Sequence, residues 1–351
     1  MSNKETVPVR SGENIDQQAL QQWLDQQAPG LGNIAEISQF PGGFSNLTYL
    51  LRTSTGDYVL RRPPVGANIK SAHDMGREYR VLSLLKGHYD KIPAPVVYCE
   101  SPEAIGYPFY IMTRLEGLIL RPQNAPKLNF TPAQWRDLST ALVDNLVDIH
   151  ALDIHASGLA ALGKPEGYVQ RQVEGWIKRY YAAETDTLEA MNAVAQWLQH
   201  NLPPEQTPAF LHNDYKFDNV LFDPRDLRRV TGVLDWEMST VGDPLMDLGA
   251  ALAWWIEAAD GAAMYAYNAT WLPGNLSRRE AAERYAEKSG RRLDHIVFYY
   301  VFGLFKNAVI GQQIYARWKQ GLTQDARFGH LLPMIQSLGA KGQHTLMGGK
   351  L

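Results

Sequence analysis

The spacing of apolar residues changes partway along the chain. Early on they form clusters of strand length. Leu47–Arg52 (LTYLLR) and Tyr58–Arg62 (YVLRR) flank a polar turn, Thr53-Ser54-Thr55-Gly56-Asp57, and predict a hairpin. Asp74 then precedes a helical run, Arg77–Leu85, with Tyr79, Leu82 and Leu85 along one side. Val96–Cys99 and Tyr107–Arg114 predict two further strands around a turn at 101–106. Strands, one helix and more strands make a small antiparallel sheet with a helix packed on it.

A loop-like stretch from Gly117 to Leu128 follows, and beyond it the period becomes helical. Thr131-Pro132-Ala133-Gln134 offers an N-cap, a proline at the first helical position and a capping-box glutamine. Trp135, Leu138, Leu142, Leu146 and Ile149 continue at helical spacing. Residues 174–183, 187–200 and much of the chain beyond Leu245 also predict helix. The fold expected is α+β and bilobal. It has an N-terminal helical extension over 1–30, a sheet-based lobe over 31–116 and a larger, mostly helical lobe over 117–351.

Composition narrows the function classes. The chain of 351 residues is 45% hydrophobic and 20% charged, as an ordinary globular protein is. A net charge of −3 gives no whole-chain basic field for nucleic acid. The most apolar window, His295–Phe305, is too short to cross a bilayer and runs into Lys306 and Asn307, so a buried core helix is expected there and no membrane partner. The N-terminus lacks the apolar stretch of a signal peptide, and Cys99 is the single cysteine, which fits a reducing, cytoplasmic setting. A homodimer is left open.

The informative stretch is LHNDYKFDNVLFD followed by VTGVLDWEMSTVGDPLMDL. Val220–Phe222 and Thr231–Leu234 predict short strands joined by the turn that begins at Asp223-Pro224. Paired as a hairpin, they would set Asn219 and Asp235 side by side, ~5 Å apart at Cα. Asp214 lies on the loop feeding the hairpin. Oxygen side chains gathered this way suit Mg²⁺, which keeps waters and takes phosphate oxygens as partners. A phosphoryl transfer needs that metal together with a carboxylate to accept the proton of the attacking hydroxyl.

His212-x-Asp214-x-x-x-x-Asn219, then Asp235, follows the catalytic-loop and metal-binding order of kinases. LHNDYKFDN with LDWEMSTVGDPLMDL resembles the aminoglycoside-phosphotransferase-like or choline-kinase-like branch of the protein-kinase fold. FYIMTRLEG, REYRVLSLL and RQVEGWIKRY resemble the kinase-like domains fused to some acyl-CoA dehydrogenases. The resemblance implies an ATP- and Mg²⁺-dependent phosphotransferase acting on a hydroxyl of a small molecule. It makes Asp214 the base, Asn219 and Asp235 the metal ligands, and Gly42, Gly43 and Ser45 the loop over the ATP phosphates. Glu78 becomes the acid that holds the phosphate-contacting cation, and Met112, Thr113 and Leu115 lie in the hinge that meets adenine.

Departures keep alternatives open. Arg61 stands where kinases place lysine, and is either the phosphate cation or a surface strand arginine. Lys216 either approaches the transferred phosphate or is solvated. Asn213 replaces the branch's usual glycine, which a left-handed backbone would explain. Arg171 and Trp176 either wall the acceptor pocket or are a surface arginine and a core tryptophan. The acceptor expected from the fused relatives is a hydroxyacyl compound, including CoA thioesters. An aminoglycoside or amino alcohol is the alternative within the same chemistry, and a non-catalytic nucleotide-binding module the alternative outside it.

Overall fold

A computed structural model describes residues 5–41, 46–64, 74–323 and 326–351. The chain divides into two compact units. One takes residues up to Glu116 together with Gly232–Glu237, and the other takes the rest.

The first unit opens with helix α1 (Gln17–Gln27) and strands β1 (Ile34–Gln39), β2 (Leu47–Thr53) and β3 (Gly56–Arg62). Helix α2 (Met75–Leu85), β4 (Pro95–Cys99) and β5 (Phe109–Thr113) follow. The five strands form one antiparallel sheet in the order β1-β2-β3-β5-β4. Alternation along the strands divides its residues between two faces. Leu47, Tyr49, Leu51, Leu60, Phe109 and Ile111 pack with Leu20 and Leu24 of α1. The opposite face turns toward α2, which lies against β4 and β5. Asp74 caps α2, its side chain accepting from the Arg77 N–H, as the sequence indicates.

In the second unit a two-residue strand, β6 (Leu118–Ile119), interrupts the expected loop by pairing with β8 (Val220–Phe222). A dipeptide carries no periodicity, so only its partner reveals it. Helix α3 (Pro132–His150) begins with the expected capping box of Thr131 and Gln134. Helix α4 (Tyr168–Ala182) starts six residues before the expected 174, behind a left-handed Gly167 with no side-chain cap to mark it, and α5 (Glu189–His200) follows. Next come β7 (Ala209–Leu211), β8, β9 (Val230–Val233), whose last two residues belong to the first unit, and β10 (Thr240–Gly242). β9 neighbours β8, as the hairpin reading requires, and β10 pairs antiparallel with β7. Helices α6 (Pro244–Ala253), α7 (Arg278–Ser289), α8 (Ile296–Lys319) and α9 (Leu332–Gly348) complete the unit.

Helix α8 carries the apolar window of the sequence and is buried along most of its length, packed by α6 and α9. Among the described residues no helix is long and apolar enough to cross a membrane. The α6–α8 crossing depends on two glycines. A Cβ on Gly249 would strike the Tyr299 carbonyl, and one on Gly303 would strike the Gly249 carbonyl. Both obstacles are backbone, which cannot rotate aside.

Gly303→Ala gains about 1 kcal/mol of helix propensity. It loses more by forcing two backbones apart, since overpacking a core costs about 1–3 kcal/mol and this collision lies at the upper end. We expect a net loss of about 2 kcal/mol in urea unfolding, against no measurable loss for Gly30→Ala, where the added methyl meets open space.

Candidate functional site

The loop between β7 and β8 is held by side chains, because its backbone geometry suits neither helix nor sheet. Asn213 has φ +67°, the left-handed conformation its position in the sequence suggests. Asp247 of α6, fully buried, accepts from the His212 N–H at 2.6 Å and the Asn213 N–H at 2.8 Å. The Asp214 N–H donates to His212 Nδ1 at 3.2 Å, so that ring nitrogen carries the lone pair. Behind Asp247, His150 of α3 approaches with Nε2 at 3.2 Å and meets the Tyr285 hydroxyl through Nδ1 at 2.7 Å. Burial raises the Asp247 pKa, but the His150 contact, with His212, outweighs it and leaves the carboxyl below its ordinary value.

This scaffold presents Asp214. Lys216 Nζ lies 2.9 and 2.7 Å from its two carboxylate oxygens, and Asn219 Nδ2 donates to the Asp214 carbonyl at 2.8 Å and to Oδ2 at 3.0 Å. The side chains of Lys216 and Asp214 are 16% and 24% exposed, so Lys216 is not the freely solvated lysine of the alternative reading. With its amide nitrogen committed to Asp214, Asn219 has its carbonyl oxygen to offer a cation.

The first unit holds a second constellation. Arg61 is 8% exposed, which removes the surface-arginine reading. Its guanidinium donates to Glu78 Oε1 at 2.5 Å and to Glu237 Oε2 at 3.4 Å, and lies 3.6 Å from Asp235 Oδ1. Asn46 also donates to Glu237, at 2.8 Å. Burial lowers the Arg61 pKa, yet Glu78 and the neighbouring acids outweigh it and hold the cation well above its ordinary value. Glu78 itself is pushed up by burial against the opposing pull of Arg61. Four buried atoms here lack a hydrogen-bond partner among the described residues: Arg61 Nε, Glu78 Oε2, Tyr110 OH and Asp235 Oδ1. Asp235 has φ +66°, uncommon outside glycine and typical of functional strain. A carboxylate oxygen with no hydrogen bond, though within 3.6 Å of Arg61, is compatible with a magnesium ligand, so Asp235 fits that role, as Asn219 does through its carbonyl oxygen.

The remaining expected residues fall out unevenly. Gly42, Gly43 and Ser45 lie outside the described residues. Met112 and Thr113 end β5. The Thr113 and Arg114 N–H groups are taken by the Ala94 and Asp57 carbonyls. Arg171 is exposed and bonded to the Glu166 and Lys164 carbonyls, and Trp176 is buried, as the core-and-surface reading has it. Trp236, fully buried, stands edge-on to Tyr89 in the first unit. The sequence reading missed Lys306, a buried lysine of α8 that donates to the Asn213 carbonyl at 2.8 Å. Its signal was a lone lysine closing the run HIVFYYVFGLFK.

A sheet-based unit with an acid-paired arginine, and a helical unit presenting the Asp214 loop, define a kinase-like fold. The chain belongs to the phosphotransferase enzyme family, whose model matches residues 36–284. It is 32% identical over 329 residues to the acyl-CoA dehydrogenase family member 11 of Rattus norvegicus, a match covering 91% of this chain and 42% of the rat protein. The chain thus spans less than half the length of that relative. A Ralstonia eutropha protein, provisionally named an aminoglycoside phosphotransferase, superposes with a TM-score of 0.78 at 30% identity, covering 94% of this chain and 99% of that one. A spectinomycin phosphotransferase solved with ADP and spectinomycin has a TM-score of 0.60 at 14% identity, over 93% of this chain and 98% of the other, a likeness of fold alone.

Two outcomes test these constellations. Asp247→Asn puts an amide N–H against a backbone N–H and leaves buried donors unsatisfied, a change that costs about 1–3 kcal/mol. Because the folded-state pKa of Asp247 lies below the unfolded one, its contribution is complete above the unfolded pKa of about 3.9 and fades as pH falls through the folded value. Urea unfolding should therefore show the wild-type advantage at pH 7 shrinking in acid below about pH 4. Arg61→Met strands Glu78 in the core and should cost ~3–5 kcal/mol, with Arg61→Lys losing less.

Proposed function

We propose that the protein transfers the γ-phosphoryl group of ATP to a hydroxyl of a small molecule, with Asp214 accepting the hydroxyl proton. The observation that carries this is the Asp214 carboxylate itself. It is partly exposed, set on a left-handed loop, and fixed by Lys216 and Asn219 so that it cannot swing away. A base held in one orientation spares the reaction the entropy of finding it. Lys216, carrying positive charge beside the base, suits the phosphoryl oxygens on which negative charge gathers during transfer.

In the nucleotide-binding unit, Arg61 braced by Glu78 is the cation for the ATP phosphates. A planar guanidinium can pair with a carboxylate and a phosphate at once, which answers the departure from lysine. With the Thr113 and Arg114 N–H groups already committed, Leu115 is the hinge residue best placed to meet adenine through its backbone. Asp235 in this unit, and Asn219 in the helical unit, each carry an oxygen that suits a magnesium ion, which when bound neutralises phosphate charge. The nucleotide reading gains support from the ADP found in the spectinomycin phosphotransferase. The acceptor reading, a hydroxyacyl compound, gains support from the acyl-CoA dehydrogenase name of the rat relative.

Thermal unfolding with ATP should show stabilisation that requires Mg²⁺. Asp214→Ala should keep that stabilisation while phosphoryl transfer falls ~10²–10⁴-fold, the range for losing a general base. Equal turnover in wild type and Asp214→Ala would remove Asp214 from the role. Absence of any Mg²⁺-dependent ATP stabilisation would remove the kinase reading altogether.

A further inference from the structure

Lys306 is 5% exposed, yet its ammonium has one acceptor among the described residues, the Asn213 carbonyl at 2.8 Å. An ammonium carries three N–H donors, so two are left to use. Burial lowers its pKa and Asp214 and Asp247 act against that, while Lys216 and Arg179 add to the lowering. The indole of Trp176 is shared by two cations, with Arg179 Cζ 4.7 Å and Lys306 Nζ 5.8 Å from its centroid. Lys216 is itself 5.4 Å from the Trp254 ring. Close to Asp214, then, the helical unit places Lys216, bonded to it, and Lys306, which feels its charge, with Arg179 further out across the Trp176 ring. Of the nearby acids, Asp214 is bonded to Lys216, Asp218 lies 3.9 Å from the same ammonium, and Asp247 is fully buried under the loop. A polyamine acceptor calls for the reverse, a cluster of free carboxylates.

We infer that Lys306 is a specificity-determining residue for the acceptor. It recognises an anionic or carbonyl oxygen close to the reacting hydroxyl and makes the protein select hydroxy acids and their acyl derivatives over amino alcohols. The inference rests on the phosphotransfer reading above and narrows it to one acceptor class. A buried ammonium with donors to spare gains most from an acceptor oxygen that replaces lost water, and a second cation placed there loses for the same reason.

The test compares 3-hydroxybutanoate with 4-amino-2-butanol, which has an aminomethyl group in place of the carboxylate, as phosphoryl acceptors for the full chain with MgATP. Wild type should favour the acid by at least about tenfold in kcat/KM, which is ~1.4 kcal/mol. Lys306→Met should raise KM for the acid and bring the ratio toward one, while Lys306→Arg, which keeps the charge, should restore the preference. A merely structural lysine would depress both acceptors together and leave the ratio where it was. That result would overturn the inference, as would a wild type that takes the amine equally well or phosphorylates neither compound. If Lys306→Met fails to fold, Lys306→Gln is read in its place, and a wild type without the preference overturns the inference in either case. Loss of the underlying reading is seen separately, as absence of MgATP stabilisation in the thermal assay.

Discussion

One buried carboxylate carries the functional loop. The turn at 212–214 runs through a left-handed residue, so its N–H groups find no ladder to join. Asp247 receives two of them and His212 the third. Lys306 takes the Asn213 carbonyl, and Asn219 the Asp214 carbonyl. Each such group left unpaired in a core costs about 1–3 kcal/mol, so the loop geometry and the satisfaction of its polar atoms are one problem with one solution. The carboxylate is in turn kept charged by His150, which Tyr285 orients. The chain of dependence runs from α7 through α3 to α6 before it reaches Asp214.

The first unit solves the matching problem differently. There a guanidinium is buried on a sheet face and surrounded by acids, with several polar atoms unpartnered. The backbone N–H groups of the second unit's turn at 212–214 are all bonded, whereas the Arg61 cluster keeps unbonded atoms. Saturation fits a group that must hold one position through every turnover. Spare capacity fits a place that exchanges highly charged ligands.

What the sequence made legible follows from what it encodes locally. The strand pair at 47–62, the α2 cap at Asp74, the Thr131 capping box and the buried helix at 296–319 rest on alternation, turn residues and caps, all properties of adjacent residues. Asp214 and Asn219 were readable from the pattern His212-x-Asp214-x-x-x-x-Asn219, and their side chains are hydrogen-bonded. Residues whose meaning lies in distant partners stayed dark. β6 exists because of β8, and Lys306 matters because Asn213 has a carbonyl to fill. Arg61 is the contrary case, because the family resemblance had already set Glu78 against the cation and only the burial of the pair was new.

Arg61 and its neighbour Arg62 stand on opposite faces of β3. Arg62, 1% exposed, reaches the Glu13 carbonyl at 2.9 Å and lies over the Tyr107 ring at 4.4 Å. The segment Val59-Leu60-Arg61-Arg62 is therefore almost its own mirror under a one-step slide, offering an aliphatic and a guanidinium to each side in either frame. Such a strand cannot choose its own alignment. The choice falls to the tight bend before it, where Thr53 bonds back to Gly56, and to Asp57, clasped by Arg114. The identity of the arginine that faces Glu78 is thus written several residues upstream, in a solvent-facing corner far from any chemistry.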